Sequence, residues 1–240
     1  MRDMHGWFIV MEKQTNKKKF SAESSLYVFA SLAIVGGFLE SFTYFCHDGV
    51  FCNAQTGNVV LMAVEIAGGD FTGAFTHLFS ILAYIVGILI SAVLREFVKS
   101  PYRHCAVTLA EILALCAIAC IPESAPHIAT YASVSLLCAV QYNIFTECHE
   151  TALATTFCTN NLRQLTLSLY TGIRKNDRAM LKKGGIYAVM LLSFAAGAVF
   201  GALSVSAIPA NFSVFMCAAV LIPVFVCLIV RCSRARGLTA

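Results

Sequence analysis

Cys52-Asn-Ala-Gln-Thr-Gly-Asn-Val-Val-Leu-Met-Ala-Val-Glu-Ile-Ala-Gly-Gly-Asp70 opens on a polar turn, runs apolar through Ala67 and stops at a Gly-Gly pair. Its apolar helical part, Gln55 to Ala67, is 13 residues long. A helix that crosses roughly 30 Å of hydrocarbon needs at least about 17. How this stretch is read decides the fold, because the chain around it is built from segments that do have that length.

The protein has 240 residues, 58% hydrophobic and 12% charged. That balance belongs to membrane proteins and leaves little sequence for a soluble domain. Six segments are long enough to span: Ser25 to Cys46, Thr76 to Leu94, Cys105 to Ile121, Ile128 to Cys148, Ile186 to Ile208 and Asn211 to Val230. The first follows Lys17, Lys18 and Lys19 but exceeds a signal-peptide core and lacks a cleavage site, so it reads as a retained span. A second short segment, Thr159 to Thr171, matches the first in length and carries Arg163 and Gln164.

Loop charge tests whether the short segments cross. The basic stretches are the amino-terminal segment, Arg95 to Arg103, Arg174 to Lys183 and the tail with Arg231, Arg234 and Arg236. Cytoplasmic loops carry the Lys and Arg excess. If all eight segments cross, one basic loop falls outside. If the two short ones enter and return on one side, every basic stretch falls inside. The expectation is six spans and two half-helices, with residues 1–24 and 231–240 cytoplasmic and residues 25–230 forming one membrane domain.

An ungapped shift of 103 positions superposes the two short segments and the long ones flanking them, bringing Phe42 onto Phe145, Thr43 onto Thr146, Thr56 onto Thr159 and Asn58 onto Asn161. Each half is then a span, a half-helix and two spans, about 25 to 121 and 128 to 230. Three crossings per half invert the second copy. The expected fold is an all-α membrane protein of two inverted repeats. In secondary transporters of that architecture, short or broken helices at matching positions mark the substrate site.

Polar residues cluster at the half-helices. Thr56 or Asn58 can cap free N–H groups, and Gly57 permits close backbone approach; Thr159, Asn160 and Asn161 stand at the matching turn. A helix amino terminus favours an anionic or carbonyl-bearing ligand, and an ordinary capped turn near the interface stays open beside that reading. Glu40, Thr43, Tyr44 and His47 share one helical face; Asn143, Thr146, Glu147 and Glu150 match them in the second half. Glu40 lies well inside its span, where a charge costs at least about 2.5 kcal/mol and marks a functional pathway. His47, Glu147, His149 and Glu150 lie near segment ends and read as solvated. Glu111 is the other intramembrane carboxylate: it either pairs with Arg163, joins a proton path or is simply protonated. Glu65 and Arg163 sit on the short helices and either can face a cavity.

Other patterns exclude more than they suggest. The net charge of +4 resides in short loops, and nothing resembles a nucleic-acid-binding module. Most of the eleven cysteines lie in apolar runs as small hydrophobes, without a CxxC pair. Asn211-Phe-Ser213 reads as a helix start after Pro209 rather than a glycosylation acceptor. Cys148-His149-Glu150 lacks a second ligand pair for a metal. No catalytic motif appears, and the residues name no cofactor.

The Glu-bearing first span, the Phe45-Cys-His-Asp-Gly-Val-Phe51 loop, the Thr-Gly-Asn turn and its degenerate Cys158-Thr-Asn-Asn161 copy resemble the YoaK family of multi-pass bacterial membrane proteins. The resemblance covers Ser25 to about Arg231 and implies an inner-membrane location without naming a substrate. Asn160 departs from a Gly-containing turn, and Glu40 stands where Asp is the commoner acid. The leading expectation is a permease for a small polar or anionic solute, with substrate contacts from the polar residues of both turns and both spans, and proton coupling through Glu40 or Glu111. The alternative is a non-transporting membrane scaffold or accessory subunit.

Overall fold

A computed structural model describes residues 25–99, 102–148, 151–153, 155 and 158–237. The amino-terminal segment 1–24, His149 at a segment end, and Glu150 from the expected polar face lie outside the described residues. The helices are α1 (Leu26–Cys46), α2 (Gln55–Gly68), α3 (Phe71–Phe97), α4 (Tyr102–Ala119), α5 (His127–Ile144), α6 (Cys158–Lys175), α7 (Arg178–Ala207), the single turn α8 (Ala210–Ser213) and α9 (Phe215–Gly237). A two-residue antiparallel ladder pairs β1 (Glu147–Cys148) with β2 (Thr151–Ala152).

Among the described residues, five helices are long and apolar enough to cross a membrane: α1, α3, α4, α7 and the run Ala210–Ser233 made by α8 and α9. The segment expected as a sixth span is not one of them. Its helix α5 stops at Ile144, because the chain turns there into the ladder, where Leu153 N–H donates to Thr146 O at 3.0 Å. Its inner face is also polar, with Thr130, Ser135 and Gln141 buried. At 18 residues it is still about 27 Å long.

α1 is the core helix, 72% buried over its most apolar window against 28% for α3 and 22% for α7. It packs on α7 as a parallel pair: Gly37 faces the Phe194 carbonyl, Gly197 faces Ile34 and Gly201 faces Phe38 and Ser41. Lipid offers no hydrophobic drive between helices, so close backbone approach at small residues does this work. A methyl on Gly37 or Gly197 would collide with the facing carbonyl oxygen. α3 and α5 form a second parallel pair. Ser80 meets Ser135, Gly87 meets Leu136 and Ala139, and Ser91 meets Asn143. α4 and α9 pack antiparallel, with Cys105 beside Cys232 at 3.4 Å.

Each short helix folds back on the long helix that follows it, α2 on α3 and α6 on α7. The two turns use the same chemistry. In the first, Gly69 takes a positive φ of 81° and Asp70 accepts from Gly73 N–H at 3.0 Å; in the second, Asn176 takes φ 50° and Asp177 accepts from Ala179 N–H at 2.9 Å. A left-handed residue ends one helix and an Asp caps the next.

The bundle has two unlike ends. At one, His127 bonds Asp48 at 2.9 Å, the His47 and His127 rings meet at 5.1 Å, and Asn211 donates to Ile121 O at 2.8 Å. At the other, Arg95 donates to Asn143 O and Arg103 donates to Arg95 O.

Candidate functional site

The polar segment between α1 and α2 does not stay at the bundle end. It turns at Asp48 and Gly49, both at positive φ, and runs back beside α1. Asn53 Nδ2 donates to Gly36 O at 3.1 Å, which places the start of α2 near the middle of a helix that runs from Leu26 to Cys46. Glu40 holds the turn there. Its carboxylate accepts from Asn53 N–H at 2.7 Å, Ala54 N–H at 3.1 Å and Cys52 Sγ at 3.2 Å. Backbone N–H groups at mid-membrane need such a partner.

Asn58 is the second fastening point. The side chain is fully buried and mimics a backbone pair: Oδ1 accepts from Phe51 N–H at 3.0 Å while Nδ2 donates to Phe51 O at 2.6 Å. Nδ2 also reaches Gln55 Oε1 at 2.9 Å and Ser80 Oγ at 3.2 Å, and Ser80 meets Ser135 of α5 at 2.8 Å. Gly57 lies under the Phe51 ring, where a Cβ would come within 2.7 Å. The Thr-Gly-Asn turn is thus occupied by its own loop at Gly57 and Asn58, and Thr56 is exposed.

Around this turn, buried polar atoms have no hydrogen-bond partner among the described residues. They are Asn53 Oδ1, Gln141 Oε1 and the Tyr84 hydroxyl. The amide orientations are fixed, because Asn53 Nδ2 donates to Gly36 O and Gln141 Nε2 to Leu32 O, one turn apart on α1. Cys138, one turn before Gln141, has its sulfur 3.7 Å from that of Cys52. Tyr84 lies within electrostatic reach of Glu40, Cys52 and Cys138, and so does Cys158, the first residue of α6, of Glu40. The start of α2 is thus bonded to Glu40, and the first residue of α6 lies within electrostatic reach of the same carboxylate. Unpartnered buried polar atoms are costly, and water or a ligand ordinarily satisfies them.

The other expected residues are dispersed. Thr43 is buried with its hydroxyl turned back to Leu39 O and Glu40 O, and Tyr44 is exposed and stacks on Phe51 at 5.0 Å. Asn143 donates to Ser91 Oγ at 2.5 Å. Thr146, Thr159 and Asn160 are exposed, while Asn161 is buried. Glu111 is 2% exposed, and neither carboxylate oxygen has a hydrogen-bond partner among the described residues. It does not meet Arg163, which is exposed on α6; its electrostatic neighbour is Cys217 of α9. His47, expected to be solvated, is 4% exposed between Phe42 and His127. Burial, followed by the neighbouring His127, lowers its pKa to about 4.

Asn53, Tyr84, Gln141, His77 and Ser80 are the contributors that segment reading misses. Each is a single polar residue in an otherwise apolar run, and that is the signal that would have found them. A shallow hollow of about 110 Å³ between α2 and α3 is lined by Met62, Ile66, Phe71, Ala74, Phe75 and Leu78, all apolar, and by none of these polar residues.

No curated protein and no solved structure matches the chain. A membrane-like helical bundle with a folded-back short helix is thus what the residues and the geometry establish, and the chain belongs to the family described as protein of unknown function (DUF1275), whose model matches residues 28–228.

Proposed function

We propose that the protein is an inner-membrane permease for a small polar solute that presents hydrogen-bond donors. The observation that carries the reading is the group of unpartnered acceptors, Asn53 Oδ1 and Gln141 Oε1 with the Tyr84 hydroxyl, gathered where two short helices start. Anions fit this site less well than sequence reasoning alone suggests, since Glu40 already occupies the positive end of α2.

The packing supports two related halves. Exchanging α1 with α5, α2 with α6, α3 with α7 and α4 with α9 carries the pair α1–α7 onto α5–α3 and α2–α3 onto α6–α7, and maps α4–α9 onto itself. With α5 counted as a crossing, each half has three, which makes the repeats inverted. The basic end bears Arg95 and Arg103, the parallel α1–α7 packing supports grouping Arg174, Lys175 and Arg178 with them, and the excess of basic residues favours that end as the cytoplasmic one. The resemblance to the YoaK family agrees with this reading.

The test is uptake into proteoliposomes from a panel of neutral polyols, amines, amides and small anions. Donor-bearing neutral solutes should enter, and Tyr84→Phe or Gln141→Leu should abolish entry while the fold is retained. Anion-selective flux would overturn the solute class. A lack of flux for every solute would favour the scaffold reading, and wild-type flux in both variants would remove Tyr84 and Gln141 from the solute site.

A further inference from the structure

The two short helices each fold back on the long helix that follows, yet their exposed faces differ. On α2 the exposed residues beyond the opening turn are Val59, Val60, Ala63, Val64, Ile66 and Ala67, all apolar, as a lipid-facing surface requires. On α6 they divide. With about 100° between successive residues, Asn161, Ser168 and Gly172 fall on one side and are buried, Gly172 against Leu181 of α7. Leu162, Leu169 and Ile173 form an exposed apolar arc beside them. Thr159, Asn160, Arg163, Thr166, Tyr170 and Arg174 form an exposed polar arc on the remaining side, interrupted by Leu167.

Lipid does not suit that polar arc. α6 runs lengthwise beside α7, with Leu169 against Gly184 and Gly172 against Leu181, and its first residue, Cys158, lies within electrostatic reach of Glu40. It does not lie flat on the membrane surface. Arg163 therefore stands about 18 Å inside the carboxyl end of α6, at 1.5 Å per residue, too deep for its side chain to snorkel out to the headgroups. A second copy of the chain offers nothing to pair with it at that depth. Among the described residues the exposed carboxylates, Asp48, Asp70, Glu96 and Glu123, all stand at helix ends or in turns. An Arg in hydrocarbon is costly, and intramembrane charges ordinarily face a water-filled cavity. We infer that the polar arc of α6 lines a water-filled vestibule, open at the end bearing Arg174 and reaching the central turn, and that Arg163 sets its charge against cations.

Both charges on the arc are positive: Arg163 at depth and, nearer the mouth, Arg174, which donates to the Tyr170 hydroxyl at 2.6 Å. Low-dielectric walls focus such a field, so anions are drawn in and cations turned away. Thr166 donates its hydroxyl back to Leu162 O at 3.0 Å and keeps its oxygen as an acceptor for water. Hydration of the arc concerns the folded chain alone. The solute route rests on the permease reading: there the vestibule leads to Asn53 and Gln141, and protonated amines are refused before they arrive.

The experiment places single cysteines in a chain whose native cysteines are replaced, in lipid nanodiscs, each variant first matching the helical circular dichroism of the parent. Their modification by anionic and cationic thiosulfonates is timed. The thiolate is the reacting form and is suppressed in apolar surroundings, so Thr159→Cys and Thr166→Cys should react at least about tenfold faster than Leu162→Cys and Leu169→Cys on the apolar arc, or Val60→Cys on α2. Adding Arg163→Gln should lower the anionic-to-cationic rate ratio at Thr159→Cys by about fivefold, as one charge about 7 Å away in water gives. Slow modification at all five sites would show the arc covered, by lipid or by a second copy, and would overturn the vestibule. Fast modification at Leu162 and Leu169 as well would place α6 in bulk water and overturn it too. An unchanged ratio in Arg163→Gln would overturn the role given to Arg163. No uptake is read, so a permease reading that fails leaves each of these outcomes decisive.

Discussion

Asn58→Ala should free the loop that leads into α2 while leaving the bundle folded. The substitution removes the acceptor for Phe51 N–H and the main donor to Phe51 O, which keeps only the longer approaches from Gln55 Nε2 and Ser80 Oγ, both at 3.4 Å. A buried backbone group left without its partner costs about 1–3 kcal/mol. One full orphan and one weakened acceptor therefore raise the free energy of the closed loop by about 3 kcal/mol, on the order of a hundredfold in the open population. Cys52, fully buried next to Phe51, reports that opening directly. In a chain whose other cysteines are replaced, its alkylation by a small maleimide should speed up by about that factor, since labelling of a fast-closing segment follows the open population. The helical circular dichroism should stay unchanged. Labelling of Asn58→Ala within about threefold of the parent would refute the claim that this amide fastens the loop.

The remaining expectations concern other parts of the fold. Gly197→Leu should wedge α1 from α7 and cost more than the roughly 1–3 kcal/mol of ordinary overpacking, read as a lower melting temperature in detergent; Gly185→Ala, with open space around it, should be neutral or mildly stabilising. Asp177→Ala removes the cap of α7 and should cost about 1 kcal/mol in the same assay. His47 has its pKa lowered to about 4, so its contribution to stability is fully present above the unfolded value of about 6.5 and is lost as the pH falls toward 4. His47→Phe should flatten that part of the melting-temperature profile, and an unchanged profile would assign the acid sensitivity to other groups.

The short helix was legible because its length conflicts with the bilayer: the expected Gln55 to Ala67 and the observed Gln55–Gly68 differ by one residue. The second was harder to delimit. Hydropathy fades at Thr171, yet α6 continues to Lys175, since Arg174 and Lys175 suit a helix carboxyl end and Arg174 donates to the Tyr170 hydroxyl at 2.6 Å. That extension also bears on the expected shift of 103, which superposed the flanking long segments without a gap. The two turns of like chemistry, Gly69-Asp70 and Asn176-Asp177, stand 107 positions apart rather than 103, because α6 has 18 residues and α2 has 14. The polar stripes read less well. Spacing placed Thr43, Tyr44 and His47 on one face with Glu40, but it carries no information about Phe51 covering Tyr44 or the loop lying over Glu40. Those contacts depend on where a chain reversal ends, and Asp48 and Gly49 set that through backbone conformation rather than hydropathy.

The loop from Val50 to Ala54 has a mechanical consequence. It is tied on one side to α1, through Glu40 and Gly36, and on the other to the α2–α3 hairpin, through Asn58 and Ser80. The α1–α7 pair meets backbone to backbone at its glycines and packs as one arm; α3 and α5, joined by the serine bridge and Gly87, form the other. This five-residue stretch acts as a latch between the two arms. Sliding of one past the other would have to break hydrogen bonds at Glu40 or at Asn58, together with the bond from Gln141 Nε2 to Leu32 O that joins the arms directly.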